Sequence, residues 1–270
     1  MDDLIRIPCV MMRGGTSKGP FFLSRDLPAD PVERDRLLLE IMGSGHPLQI
    51  DGIGGGNSLT SKVAIVGPSS RPEADVDYLF AQVKVLERSV DTAPNCGNML
   101  SAVGPFAIEA GLVLPTGDET VIKVHNVNTG KIIDARIQTP GGAIAYQGEA
   151  AIDGVPGKAA PVYLAFRDAI GAKTGRLLPS GKATDVILGL EVTLLDGATP
   201  VVIITAEDMG YSGSEPAAVF DADADFMVRL EQIRREAGRL MGMGDVSQSV
   251  LPKPVLIGAP ANGGDLAVRY

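Results

Sequence analysis

A cysteine and a lysine carry the reactive chemistry of this sequence. Cys96 stands in Pro94-Asn95-Cys96-Gly97-Asn98-Met99, at the predicted start of a helix that continues as MLSAVGPFAIEAG. There it would feel the positive end of the helix dipole, which favours thiolate over thiol. The neighbouring amides of Gly97 and Asn98 would suit a carboxylate. The same residues also fit a small buried hydrophobe capped by Asn95. Lys62, with Ser61 before it, leads into the apolar run Val63-Ala64-Ile65-Val66. Partial desolvation there favours the neutral amine, the form that accepts a proton. A snorkelling or edge-protecting lysine is the other reading. Arg13, Thr16, Ser17 and Lys18 place donors in the turn MRGGTSKG, fit for an anion or for solvent. His46, His125 and Cys9, the last inside an apolar strand, read as structural.

Other chemistries lack their residues. The run Gly52-Ile53-Gly54-Gly55-Gly56-Asn57 misses the last glycine of the dinucleotide fingerprint, and no segment has the Walker spacing. Neither histidine has a ligand-spaced partner, so no metal site is expected. Nucleophile-elbow and triad patterns do not appear. Two cysteines make no disulfide framework, and an epimerase of the two-thiol kind would need a second suitable one. A net charge of −9, from 24 basic and 33 acidic residues, disfavours a nucleic-acid or anionic-membrane partner. No apolar run approaches a membrane span, and MDDLIRIPCVMM is acidic where a signal peptide is basic. A cytoplasmic location is expected.

The elements that must position these residues are short strands between turn signals. Ile5 to Met12, Pro20 to Leu23, Lys62 to Val66 and Val76 to Val85 read as strands. Val121 to Val127 and Lys131 to Gln138 flank Asn128-Thr129-Gly130 as a hairpin, which Ala143 to Tyr146 would extend. Asp30-Pro31-Val32-Glu33 opens a helix with Leu37, Leu38, Ile41 and Met42 on one face. A longer helix runs from about Asp223 to Met241. The segment from Cys96 is apolar all round except for Glu109, which places it in the middle of a fold, and Pro105 should kink or shorten it.

The order of elements then repeats. Strand, Gly-rich turn, strand, helix, SKVAIVGP and strand in residues 5–85 return as Leu190 to Leu195, Asp196-Gly197, Val201 to Thr205, the helix from Asp223, PKPVLIGAP and a strand at Asp265. Lys62 and Lys253 fall at equivalent places. The second copy reaches Tyr270 before any counterpart of the Cys96 helix, so this chain is expected to lack that element and to leave strand faces uncovered.

The segments MRGGTSKG, QIDGIGGGNSLTSKVAIVGPSS, DVDYLFAQV and VDTAPNCGNMLSAVGPFAIEAGLV resemble the 2-methylaconitate isomerase and 4-oxalomesaconate tautomerase family. NTGK, LPSGK, EVTLLDGATPVV and RLMGMGDV extend the likeness over nearly the whole chain. QIDGIGGG, DVDYLFAQV and the Thr-Ala-Pro before Asn95 resemble the tautomerases more closely. The resemblance implies an α+β, diaminopimelate-epimerase-like fold of two pseudo-repeat lobes, each a β-barrel around a central helix. Residues 1–180 would form the first lobe and 181–270 an incomplete second one. By the same resemblance Lys62 transfers the proton and Cys96 faces the substrate, while Thr16, Ser17, Ser61, Gly97 and Asn98 surround its carboxylates. The implied reaction is a cofactor-independent 1,3-allylic proton shift in a di- or tricarboxylate, requiring neither metal nor redox group. It is that of a 4-oxalomesaconate tautomerase first, with a 2-methylaconitate cis-trans isomerase or a non-catalytic polycarboxylate-binding protein as the alternatives. No residue pattern decides whether the chain forms a homodimer.

Overall fold

The computed structural model describes residues 5–270 apart from 168, 248, 261 and 262. Two compact units divide the chain, Met1–Arg167 and Asp168–Tyr270. The division precedes the expected 180/181 boundary because the intervening residues are tied to the second unit. The Asp196 carboxylate accepts from the backbone N–H groups of Lys173 and Thr174 and from the Thr174 hydroxyl, and the Asp196 N–H donates to Leu177. Among the described residues no helix is long and apolar enough to cross a membrane.

One curled sheet builds the first unit. Its strands are β1 (Val10–Gly14), β2 (Ser17–Leu23), β3 (Lys62–Pro68), β4 (Val76–Val83), β5 (Val90–Asp91), β6 (Glu119–Asn126), β7 (Lys131–Gln138) and β8 (Val162–Phe166). The path runs β1-β2-β3-β4-β6-β7-β8, with β5 on β4. β1 and β8 stand at the two ends of this path, and the sheet curls as a half-barrel, in keeping with the α+β, diaminopimelate-epimerase-like fold expected.

Helix α1 (Pro31–Met42) is the crossover between the parallel strands β2 and β3. Asp30 caps it, accepting from the N–H groups of Val32 and Glu33 at 3.0 Å, a bond set worth about 1 kcal/mol. Gly43 ends it in the left-handed region at φ 69°. Strand alternation then sorts β3. Val63 and Ile65 pack with Phe22, Ala81 and the α1 residues Leu38 and Met42, whereas Ala64 and Val66 pack with Phe21, Tyr78 and Phe80 on the other face.

That other face holds the apolar segment after Cys96, in two pieces: α2 (Gly97–Leu100) and α3 (Val103–Glu109). Pro105 is the third residue of α3. In a first turn the missing N–H leaves no intrahelical bond unmade, so the chain breaks ahead of the proline and restarts around it. Met99, Leu100, Val103, Phe106 and Ala107 are buried against the sheet.

Two expected strands moved. β1 starts at Val10, so Cys9 lies outside it and is exposed rather than held in a strand interior. Ala143 to Tyr146 form no strand: Pro140–Gly142 make a 3-10 turn with Gly141 at φ 63°, and β8 takes the place beside β7.

The second unit contains β9 (Asp185–Ile187), β10 (Leu190–Asp196), β11 (Pro200–Thr205), β12 (Lys253–Gly258) and β13 (Ala267–Arg269), with helices α4 (Ala217–Ala222) and α5 (Ala224–Leu240). The pairs β10–β11, β11–β12 and β12–β13 are antiparallel, parallel and antiparallel. The pairs β1–β2, β2–β3 and β3–β4 have the same senses, with helix between the parallel strands in both units. The repeat read from the sequence is therefore a repeat of topology, and Lys253 opens β12 as Lys62 opens β3. Phe220, Phe226, Ile233 and Ala237 cover one face of this sheet through Val192, Leu194, Val202, Ile204 and Leu256. Val186 and Val268 are exposed.

Candidate active site

The site is assembled by alternation and by one tight crossing, all within the first unit. Lys62 shares the face of Ala64 and Val66, toward α2. Its Nζ donates to Ser17 Oγ at 2.9 Å and lies 3.6 Å from Cys96 Sγ. The amine also stands 5.9 Å from the centre of the Phe80 ring. Lys62 is 9 % exposed and Cys96 8 %, so the pair is nearly dry without being sealed. Cys96 is itself the N-cap of α2, its sulfur facing the Met99 N–H at 3.5 Å. Asn95, expected as the cap, is bonded elsewhere.

The glycines of MRGGTSKG allow the approach. Gly15 has φ +53°, and a Cβ there would fall 2.2 Å from Asn98 Oδ1. At Gly19 a Cβ would fall 1.8 Å from the Lys62 carbonyl oxygen. Beside this crossing Asn98 Nδ2 donates to Thr16 Oγ1 at 2.9 Å. Gly97 and Asn98 open α2, so their N–H groups have no intrahelical acceptor. Hydrogen bonds thus join Ser17, Lys62 and Cys96 in one set and Thr16 and Asn98 in another, with the main chain through Gly97 connecting the two.

Ser61 is not part of it. Fully buried, its hydroxyl donates to the Val83 carbonyl at 2.7 Å and accepts from Gln49 Nε2 at 2.8 Å. Alternation turns it away from Lys62. Gln49 in turn accepts from the Gly56 N–H at 3.0 Å, so Ser61 anchors the Gly-rich loop that leads into the lysine instead of facing a substrate. Arg13 and Lys18 are exposed; one Arg13 Nη donates to the Gly15 carbonyl at 2.7 Å. His125 Nδ1 lies 2.8 Å from Asp77 Oδ1. Burial pushes the Asp77 carboxyl up, but hydrogen bonds from His125 and Ser70 outweigh it and hold the group below its ordinary value.

Three supporting residues carried no functional signal in the sequence reading. Tyr78, buried on β4, donates its hydroxyl to the Cys96 carbonyl at 3.2 Å. Burial first, and Cys96 second, push that phenol well above its ordinary range, which keeps it a donor. Asn126 Nδ2 donates to Asn95 Oδ1 at 2.5 Å. Asn128 accepts from the Phe80 N–H and donates to the carbonyls of Phe80 and Thr92. The β6–β7 hairpin, expected from the sequence but given no part in the site there, therefore clamps the loop that presents Cys96. A polar side chain inside an apolar strand, as at Tyr78 and Asn126, was the available signal. Among the described residues no group of three or more His, Cys, Asp or Glu is placed to hold a metal ion.

An amine touching a thiol, with hydroxyl and amide donors beside them, makes an acid–base site suited to moving a proton between atoms of a bound anion. An α+β enzyme of the proton-transferring kind is what this scaffold and site define. The family model described as PrpF protein matches residues 4–267, and the chain belongs to that family. It is an isomerase. YbhH of Escherichia coli K12, provisionally named an isomerase, is 57 % identical over 265 residues, covering 98 % of this chain and 76 % of YbhH. The (4E)-oxalomesaconate Delta-isomerase of Novosphingobium sp. KA1 is 52 % identical over 262 residues, 97 % of this chain and 73 % of that one. The crystal structure of methylitaconate-delta-isomerase superposes with a TM-score of 0.85 at 41 % identity, over 95 % of this chain and 69 % of that one.

Proposed function

We propose that the protein is a 4-oxalomesaconate tautomerase that moves a proton along the allylic unit of this polycarboxylate. The observation that carries the reading is the 3.6 Å separation of Lys62 Nζ and Cys96 Sγ in a nearly dry site. The Lys62 amine takes a proton from the carbon at one end of an alkene conjugated to a ketone or carboxylate. The electron pair spreads into a dienolate. Protonation at the other end, from the Lys62 ammonium or the Cys96 thiol, completes the 1,3 shift. A placed acid or base contributes about 10²–10⁴ in rate. Ser17, Thr16, Gly97 and Asn98 would hold the carboxylates and the developing oxyanion, each oriented donor worth roughly 3–4 kcal/mol.

Such chemistry uses neither a redox cofactor nor a metal, and it fits a cytoplasmic enzyme of aromatic-acid breakdown whose partner is a small di- or tricarboxylate. The net charge of −9 repels such a substrate at long range, so capture depends on these local donors. The relative named for oxalomesaconate supports that substrate. The runner-up, cis-trans isomerisation of 2-methylaconitate, begins with the same proton removal and then lets the double bond rotate.

Ultraviolet absorbance of 4-oxalomesaconate, followed with the wild-type protein and with Lys62→Ala, tests the reading. Wild-type turnover that falls about 10²–10⁴-fold in the variant is the expected result. Undiminished turnover removes Lys62 from the mechanism, and turnover of 2-methylaconitate alone transfers the assignment to the runner-up.

A further inference from the structure

The Cys96 sulfur lies 3.5 Å from the Met99 N–H and 3.6 Å from the Lys62 amine, so a nitrogen nucleophile already touches the atom that a peroxide oxidises. It is 8 % exposed, enough for a small oxidant. The other cysteine, Cys9, is exposed ahead of β1 and forms no bond with Cys96. The nucleophile in contact with an oxidised Cys96 is therefore nitrogen rather than sulfur.

We propose that Cys96 and Lys62 form a peroxide-modification site that closes to a sulfenamide cross-link. In the first step the Cys96 thiolate attacks hydrogen peroxide. An S–O bond forms, the O–O bond breaks, sulfur loses two electrons and hydroxide leaves. In the second step the Lys62 amine, deprotonated by that hydroxide, attacks the sulfenic sulfur. The S–N bond forms, the S–O bond breaks, and the departing oxygen takes a proton from the amine, with Ser17 Oγ at 2.9 Å placed to relay it. One thiolate, one ammonium and one peroxide give one S–N bond and two waters. Condensation of a sulfenic acid with a nearby nitrogen is established cysteine chemistry, and two equivalents of a thiol reverse it by reducing the S–N bond and leaving as a disulfide. The cross-link occupies both reactive groups at once and spares the thiol from irreversible over-oxidation. It requires only the geometry of the pair, whatever the substrate.

The full-length protein is treated with hydrogen peroxide, quenched, digested and examined by mass spectrometry. A peptide pair joining Lys62 to Cys96, at the sum of the two masses less two hydrogens and cleaved by dithiothreitol, is expected. It should persist in Cys9→Ser. In Lys62→Met the oxidation should stop at a sulfenic acid trapped by dimedone. A wild-type Cys96 that stays reduced, ends as sulfinic acid, pairs with Cys9 or retains an oxygen in its bridge overturns the proposal. Because the readout is a mass, it is independent of which carboxylate the enzyme isomerises.

Discussion

Tyr78 donates its phenolic hydrogen to the backbone carbonyl of Cys96, at 3.2 Å, from the buried face of a strand. The main chain that carries the thiol is thus pinned to the sheet that carries the amine. The spacing of the two reactive groups is a property of the core, not of a loop's chance position.

Removing that pin should cost both stability and rate. Tyr78→Phe removes one of the two hydrogen bonds that the Cys96 carbonyl accepts, the Leu100 N–H at 3.0 Å supplying the other, a loss of about 0.5–1.5 kcal/mol. Urea unfolding should show a lower midpoint at unchanged slope. In the isomerisation assay kcat should fall while KM stays within a few-fold, since the phenol touches the thiol's backbone and not the substrate. A kcat equal to wild type would mean that the Cys96 loop keeps its place without the bond.

Lys62→Met separates chemistry from folding. Methionine fills a similar volume with an apolar side chain and no amine to bury, which offsets the lost hydrogen bonds to Ser17 and Cys96. Denaturant midpoints at or above the wild-type value are expected, together with a rate loss of about 10²–10⁴. A strongly destabilised variant would show that the amine is a structural strut.

The crossing of β2 over Lys62 tolerates no added atom. A Cβ at Gly19 would lie 1.8 Å from the Lys62 carbonyl oxygen, so Gly19→Ala must push the two strands apart. Its cost should reach or exceed the roughly 1–3 kcal/mol typical of overpacking. Gly117, whose Cβ would meet nothing within 4 Å, is the control. There alanine should be neutral or stabilise by about 0.4–1 kcal/mol. Thermal unfolding of the two variants side by side decides it.

Acid should loosen the second unit through Glu231. Hydrogen bonds from Arg234 foremost, and from Arg235, hold its carboxyl at about 2 against an ordinary 4.5. A depressed carboxyl contributes stability that is complete above the unfolded value and is lost as pH falls through the folded one. Unfolding free energy should therefore decline as pH drops from about 4.5 toward about 2. Glu231→Gln should flatten that slope while lowering stability at neutral pH, as urea melts across the range would show.

Local chemistry wrote the local structure plainly. Asp30 and Pro31 announced α1, Asn128-Thr129-Gly130 announced the β6–β7 hairpin, and the order of strands and helix announced the repeat. Pro105 announced the break in the apolar segment, though not that the chain would restart immediately around it. The meeting of Lys62 with Cys96 had no local signature. It depends on a parallel pairing across a long crossover, and only a resemblance to other sequences had put the two residues in one site. Ser61 went astray for a reason visible in the letters, since a neighbour of Lys62 in an extended chain must point the opposite way. β8 escaped because its partner β7 lies across a long irregular stretch, where no turn fixes the register.

Two parallel strands cannot be joined by a tight bend. The serine that touches the amine begins β2, the amine itself begins β3, and everything between them must leave the sheet and return before the two meet. The full set of site groups therefore needs the whole stretch from Thr16 to Asn98, whose side chains are themselves hydrogen-bonded. Competence arrives all at once, when the last traveller is home, and a nick anywhere along that detour would loosen the grip on the reacting nitrogen while leaving every reactive atom intact.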